Sequence, residues 1–274
     1  MKTLMFTMTN LLHLSKDTYR KRNDEMKREA LIVYMPNTPC QSTLAGTIKD
    51  EENIRRFLTS STGGEWKDTE IISLKNPTIK EVKCIINTMW DSDYTFVVFT
   101  GHGYIEVKKN SYGQIIRHQK MLVADGELVL NDLKTGASRQ AMIIDACRKF
   151  EVISQSTKIF SKSMSSMMEN FSIRIQTRKI FNKAVIDSDE GLTVLFSSKE
   201  NESSSDDPVV GGAFISSLIG GAEEWNENKS GILTLDKAHE LAIDYMQENF
   251  QQTNQHPTLN SEKRRVYFPF AIAS

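Results

Sequence analysis

The chain has 274 residues, enough for one large domain or two small ones. Its 34 Lys and Arg against 35 Asp and Glu leave a net charge of −1, which excludes a bulk basic nucleic-acid binder and an acidic disordered chain. Three cysteines cannot make a disulfide framework, so a reducing, cytoplasmic setting is expected.

Residues 1–29 are mixed and charged and read as an N-terminal extension. Thr7, Thr9, Asn10 and His13 break its apolar start, unlike a signal peptide. Nowhere does an apolar run approach the roughly 18 residues of a membrane span. ALIVYMP (Ala30 to Pro36) is a short apolar run stopped by proline, the pattern of a strand buried on both faces. Leu44 to Leu58 keeps a helical period, with Leu44, Ile48, Ile54, Phe57 and Leu58 as its apolar set. EIISL (Glu70 to Leu74) reads as a second strand. Thr78 and Glu81 then form a capping-box pattern ahead of a helix carrying Ile79, Val82, Ile85, Ile86 and Met89. YTFVVF (Tyr94 to Phe99) is a third strand, and Lys120–Leu130 reads as a small hairpin about Asp125-Gly126. AMIID (Ala141 to Asp145) and GLTVLFS (Gly191 to Ser197) are further core strands. Helices are expected from Gly212 and over Leu235–Phe250, and VYFPFAI (Val266 to Ile272) as a last, edge strand because of its proline.

Residues 151–190 differ in composition. They lack proline and glycine, and six basic residues (Lys158, Lys162, Arg174, Arg178, Lys179, Lys183) face one acid, Glu169, between 158 and 183. An acidic stretch follows. The segment reads as an insertion or linker between a half at 30–150 and a half at 191–274. Strands alternating with helices argue for an α/β fold with a mostly parallel sheet, whose sites lie beyond the carboxyl ends of the strands.

Two strand ends carry reactive residues. FVVFTGHGY places His102 between Gly101 and Gly103, and AMIIDACRK places Cys147 after another strand, 45 positions later. A thiol needs a nearby base to act as a nucleophile at neutral pH, and His102 is the histidine placed to serve. Taken singly, such a cysteine is usually a small buried hydrophobe; with the glycine-flanked histidine in this order the pair is far more specific. Cys40 and Cys84 lack zinc-ligand spacing, and the remaining histidines show none.

TGHG followed by DACR resembles the caspase-like cysteine peptidases, with the histidine about 50 residues upstream of the cysteine. The chain has Asp145 where caspases carry glutamine, and Lys149 where they carry glycine. The aspartate is the metacaspase-type choice. LAGTIKDEENIRRFL resembles the family's first helix, where metacaspases read Gly-Cys-x-Asn-Asp; Gly46 and Asp50 match, while Thr47 and Lys49 depart. LFSSKENESSSDDPVVGGAFISSL resembles the strand, acidic loop and helix start of the small-subunit half, and HPTLNSEKRRVYFPFAI the closing strand of bacterial members.

The resemblance implies a three-layer α/β/α sandwich with about six central strands. It implies a cysteine endopeptidase using a Cys147–His102 dyad, with the backbone N–H groups of Gly103 and Cys147 as oxyanion hole and no third triad member required. Asp50, Thr100 and Asp145 match the pocket that would take Arg or Lys before the scissile bond. Their bland readings are an exposed helix-start residue for Asp50 and a structural acceptor for Asp145. Arg174, Arg178 and Lys179 are candidate self-cleavage sites, against the reading of a solvated helix face. No cofactor is required. Some family members need calcium, for which Asp187, Asp189, Asp206 and Asp207 are the candidates. The expected partners are a protein or peptide substrate and an activating partner or a second copy, with no nucleic acid and no membrane. The alternative is a silent or latent caspase-like regulatory module.

Overall fold

The computed structural model describes residues 26–150 and 171–273. In chain order the elements are β1 (Arg28–Tyr34), α1 (Gly46–Thr59), β2 (Ile71–Lys75), α2 (Ile79–Thr88), β3 (Tyr94–Thr100), β4 (Gly103–Lys109), β5 (Ile115–Val123), β6 (Gly126–Val129) and β7 (Arg139–Asp145). They continue as α3 (Phe171–Asp187), β8 (Gly191–Phe196), α4 (Ala213–Asn228), β9 (Gly231–Thr234), α5 (Leu235–Asn249), β10 (Thr258–Ser261) and β11 (Pro269–Ala273).

The central sheet has six strands in the order β10-β8-β7-β3-β1-β2. Five are parallel and β10 runs antiparallel to β8. The inner strands are apolar on both sides because both faces are covered. Their period of two deals alternate residues to two cores. Ala30, Ile32, Phe96, Val98, Ala141 and Ile143 face a layer that includes Ile54, Phe57, Phe181, Val185, Phe214 and Leu218. Leu31, Val33, Val97, Phe99, Met142 and Ile144 face Val82, Ile86 and Met89 of α2, together with Met121, Val123 and Leu128. The fold is therefore an α/β/α sandwich, with a small β4-β5-β6 sheet beside α2 on the second face.

The capping box forms as expected: Glu81 N donates to Thr78 Oγ1, and Thr78 N donates back to Glu81 Oε2 at 2.8 Å. Asp125, in the turn of the β5-β6 hairpin, accepts from Ile79 N at 2.7 Å and ties that hairpin to the start of α2.

Four expectations are corrected. First, β1 begins at Arg28, inside the stretch read as an extension; the rest of that extension, up to residue 25, lies outside the described residues. Arg28 is fully buried, with its guanidinium 4.5 Å from the Trp66 ring centroid and Nη2 donating to the Gly64 and Glu65 carbonyls at 2.7 Å. A charge at the head of an apolar run disguised the strand.

Second, α3 belongs to the core rather than to a linker. Phe181 and Val185 are buried, and Arg178 donates to Glu70 and to the Glu65 carbonyl. Burial works against a charged Glu70, but Arg178 and Arg28 hold its carboxyl below the usual range. Arg178 and Lys179, two of the candidate cleavage sites, lie within this helix. Lys158 and Lys162 lie outside the described residues.

Third, the proline-bearing last strand is an edge as expected, but of a separate two-stranded sheet with β9 and not of the central one. The edge of the central sheet is β10, whose TLNS sequence carries too little apolar signal to announce a strand. Fourth, Ile48 faces outward, 38% exposed.

Candidate active site

β3 and β7 are neighbouring parallel strands, and their register pairs Thr100 with Asp145, the last residue of each. His102 lies two residues past Thr100 and Cys147 two residues past Asp145. Equal overshoot on strands about 4.8 Å apart puts both just past the carboxyl ends of neighbouring strands, at one sheet edge. Gly101 N donates to the Asp145 carbonyl at 3.1 Å, which continues the ladder one step beyond the strands. Gly103 is required by contact. A Cβ there would stand 2.7 Å from the Lys120 carbonyl and 2.9 Å from the Ala146 Cβ.

His102 Nε2 lies 2.8 Å from the backbone carbonyl of Ser42, in the loop after β1. A carbonyl only accepts, so Nε2 carries the proton and Nδ1 is left as the basic atom. Cys147 Sγ accepts from Ser204 N at 3.3 Å. Burial pushes the thiol pKa up, and the Asp145 charge adds to this; the Ser204 amide and Lys149 only partly offset it. The sulfur is thus held as a thiol and needs a base to take its proton.

Asp50, Thr100 and Asp145 come together beneath these two residues. Asp50 is buried at 1% exposure, so it is not the solvated helix residue of the bland reading. Its Oδ2 accepts from Thr100 Oγ1 at 2.6 Å, and its Oδ1 from Gly212 N at 2.7 Å. Asp145 accepts from the Ser204 hydroxyl, while its Oδ2 is buried with no partner at hydrogen-bonding geometry. Burial raises both carboxyls. Asp50 goes well above its ordinary range, with the Asp145 charge as second cause, and Asp145 rises to about 6 despite the Ser204 and Ser197 hydroxyls and the Ile215 amide. The shift in both is toward the protonated, neutral carboxyl.

Gly211 and Gly212 close the floor of this acidic pair. A Cβ on Gly211 would meet Asp50 Oδ1 at 2.4 Å, and one on Gly212 would meet Asp145 Oδ2 at 2.4 Å. Gly211 also has φ +97°, a conformation that favours glycine.

A strap formed by residues 198–207 crosses the site. It stays bonded to the residue after the cysteine: Asn201 N donates to the Arg148 carbonyl, and Arg148 N donates to the Glu202 carbonyl. Arg148 lies 4.2 Å over the Phe196 ring and donates to the Ser198 carbonyl at 3.0 Å. Gln255 pins the strap from the other side, accepting from Ser205 N at 3.0 Å and donating to the Ser197 carbonyl at 2.8 Å. Asp206, further along, sits at the first turn of α1. Burial raises its pKa, against the Gly46 and Thr47 amides and the His102 charge.

Sequence reasoning missed Ser42, Ser204, Gln255 and the placement of Asp206. Only the acidity of the strap was visible beforehand. The four calcium candidates are divided. Asp187 pairs with Lys183, and Asp189 accepts from Arg265 N and Val266 N, before β8; Asp206 and Asp207 lie after it. Among the described residues no three His, Cys, Asp or Glu side chains are grouped to hold a metal ion.

The model of the caspase domain family matches residues 27–269 of the sequence. The chain belongs to the caspase-domain peptidases. Among solved structures, caspase-1 from Spodoptera frugiperda aligns with a TM-score of 0.55 over 86% of this chain and 87% of that one, at 14% identity. That likeness is one of fold. No curated protein sequence matches this chain. As a member of the family the chain is related to cysteine peptidases that act on protein substrates.

Proposed function

We propose that the protein is a cysteine endopeptidase that cleaves after Arg or Lys. The observation that carries this reading is the buried Asp50–Asp145 pair, with one carboxylate oxygen unpartnered, at the strand ends that lead to His102 and Cys147. A buried carboxylate oxygen without a partner is costly unless the group is protonated or a cation meets it, and a cation favours the charged form. An arginine guanidinium supplies paired donors for such a site. Asp206, close enough to His102 to feel its charge, adds a third carboxylate at the rim.

The chemistry follows from the tautomer. His102 Nδ1 takes the proton from Cys147 Sγ while Nε2–H stays bonded to the Ser42 carbonyl. The sulfur attacks the carbonyl carbon before the scissile bond, and the oxygen takes up the negative charge facing the N–H groups of Gly103 and Cys147. The C–N bond breaks as His102 returns its proton to the departing amine. Water, deprotonated by the same nitrogen, then hydrolyses the thioester and restores the thiol.

A latent form of this enzyme is supported by the strap. Ser204 lies on Cys147, and its hydroxyl occupies Asp145. An incoming cationic side chain must displace that hydroxyl before the carbonyl can reach the sulfur. The test is hydrolysis of fluorogenic peptides ending in Arg, Lys or Asp, by the native chain and by Cys147→Ala, with and without calcium. Turnover of the Arg and Lys peptides, lost in the variant, is expected. Cleavage confined to Asp-ended peptides, or turnover that survives Cys147→Ala, overturns the reading.

A further inference from the structure

The β4-β5 hairpin carries a feature that the peptidase reading does not use. Its paired partners end early: β6 pairs only with Lys120–Val123, and Phe150 bridges only Ile105. From Glu106 to His118 the ribbon extends beyond these contacts. Its tip exposes Tyr112 (87%), Ile115 (57%), Val107 and Ile116. Residues 107–118 contain Lys108, Lys109 and Arg117 and no acid. Two neighbouring carboxylates partly offset them, with Glu106 on Lys108 at 2.8 Å and Glu200 on Arg117 at 3.4 Å.

The distribution matters more than the count. The pleat puts Val107, Lys109, Ile115 and Arg117 on one face, and Lys108, Ile116 and His118 on the other. Apolar and cationic side chains therefore alternate on both faces and surround the turn. A protein partner reads one face of a ribbon. A lipid surface surrounds a tip from every side. The turn is also prepared for a poorly hydrated setting, because Asn110 closes it internally: Asn110 N donates to the Gln114 carbonyl, Gly113 N donates to the Asn110 carbonyl, and Asn110 Oδ1 accepts from Tyr112 N and Gln114 N. A tyrosine at such a tip suits the headgroup level.

We infer that the β4-β5 hairpin tip docks the protein peripherally on anionic membranes. Tyr112, Ile115, Val107 and Ile116 enter the headgroup boundary, and Lys108, Lys109 and Arg117 meet lipid phosphates or carboxylates. A search for spanning segments cannot see such a site. Among the described residues no helix is long and apolar enough to cross a membrane, and this mode needs none.

The test is co-sedimentation of the full chain with vesicles of phosphatidylcholine alone and of phosphatidylcholine mixed with phosphatidylserine. Binding is expected to the mixed vesicles only and to weaken with salt. Lys108→Ser with Lys109→Ser lowers partitioning about 25-fold, taking about fivefold per cation. Tyr112→Ser with Ile115→Ser lowers it about tenfold or more. Both variants keep the native melting temperature, since the tip packs on no core. Absence of native binding, equal binding to both vesicles, or binding retained by the lysine variant overturns the inference. So does a chain that ignores vesicles but dimerises through Tyr112.

Discussion

At the scale of single residues, the proposed cleavage after Arg or Lys rests on the acidic pair, and the same pair sets a pH dependence. Asp145→Asn removes the group that meets a cationic side chain, and kcat/KM for Arg-ended peptides falls on the order of 100-fold. Its folded pKa of about 6 stands above the ordinary 3.8, so the folded state binds more protons than the unfolded state between those values. Stability is therefore greatest below about 4 and declines as pH rises through about 6, by roughly 3 kcal/mol for this group alone. Thermal melting of Asp145→Asn across pH 4 to 8 is expected to be flatter than that of the native chain. A variant as steep as the native chain would locate the dependence elsewhere. Arg-peptide turnover moves the opposite way, rising with pH as the pair ionises. His102, Cys147, Asp50, Thr100 and Asp145 were legible because they sit at the ends of strongly apolar runs or match a family motif. Ser42 was not, because its contribution is a carbonyl that every residue possesses. No side-chain substitution at 42 deletes it.

At the scale of elements, the strap links the site to the end of α5. Gln255 holds Ser197 and Ser205 by its side-chain amide, buried at 6% exposure, so Gln255→Ala loosens the segment that covers Cys147. Alkylation of Cys147 by iodoacetamide is expected to speed up severalfold in that variant, with the fold intact by circular dichroism. An unchanged rate would mean that the strap does not limit access to the sulfur. The strands and helices with a clean period, α1, α2, β3, β7 and β8, were readable from sequence. Those defined by partners were not. The tip half of the β4-β5 hairpin, KKNSYGQIIRH, has no steady alternation because neither of its faces is covered, and β10 exists as a strand only because β8 offers an edge.

At the scale of the molecule, Arg178 shows how a segment that looks like a linker can be part of the frame. It joins α3 to Glu70 before β2, and Arg28 of β1 shares the same carboxylate. Arg178→Ala leaves Glu70 with a weaker partner and is expected to cost about 3 kcal/mol, lowering the melting temperature by several degrees. A shift below one degree would mark the network as dispensable. The same frame has a consequence for the order in which the protein is made. His102 and Cys147, the proposed base and nucleophile, are translated by residue 147, but Gly212, which backs the acidic pair, comes 65 residues later, and Gln255 comes 108 later. A ribosome-bound chain thus holds a thiol and an imidazole with no completed pocket beside them. Under the proposed peptidase reading, activity is therefore expected to appear only once the last quarter of the chain has folded into place.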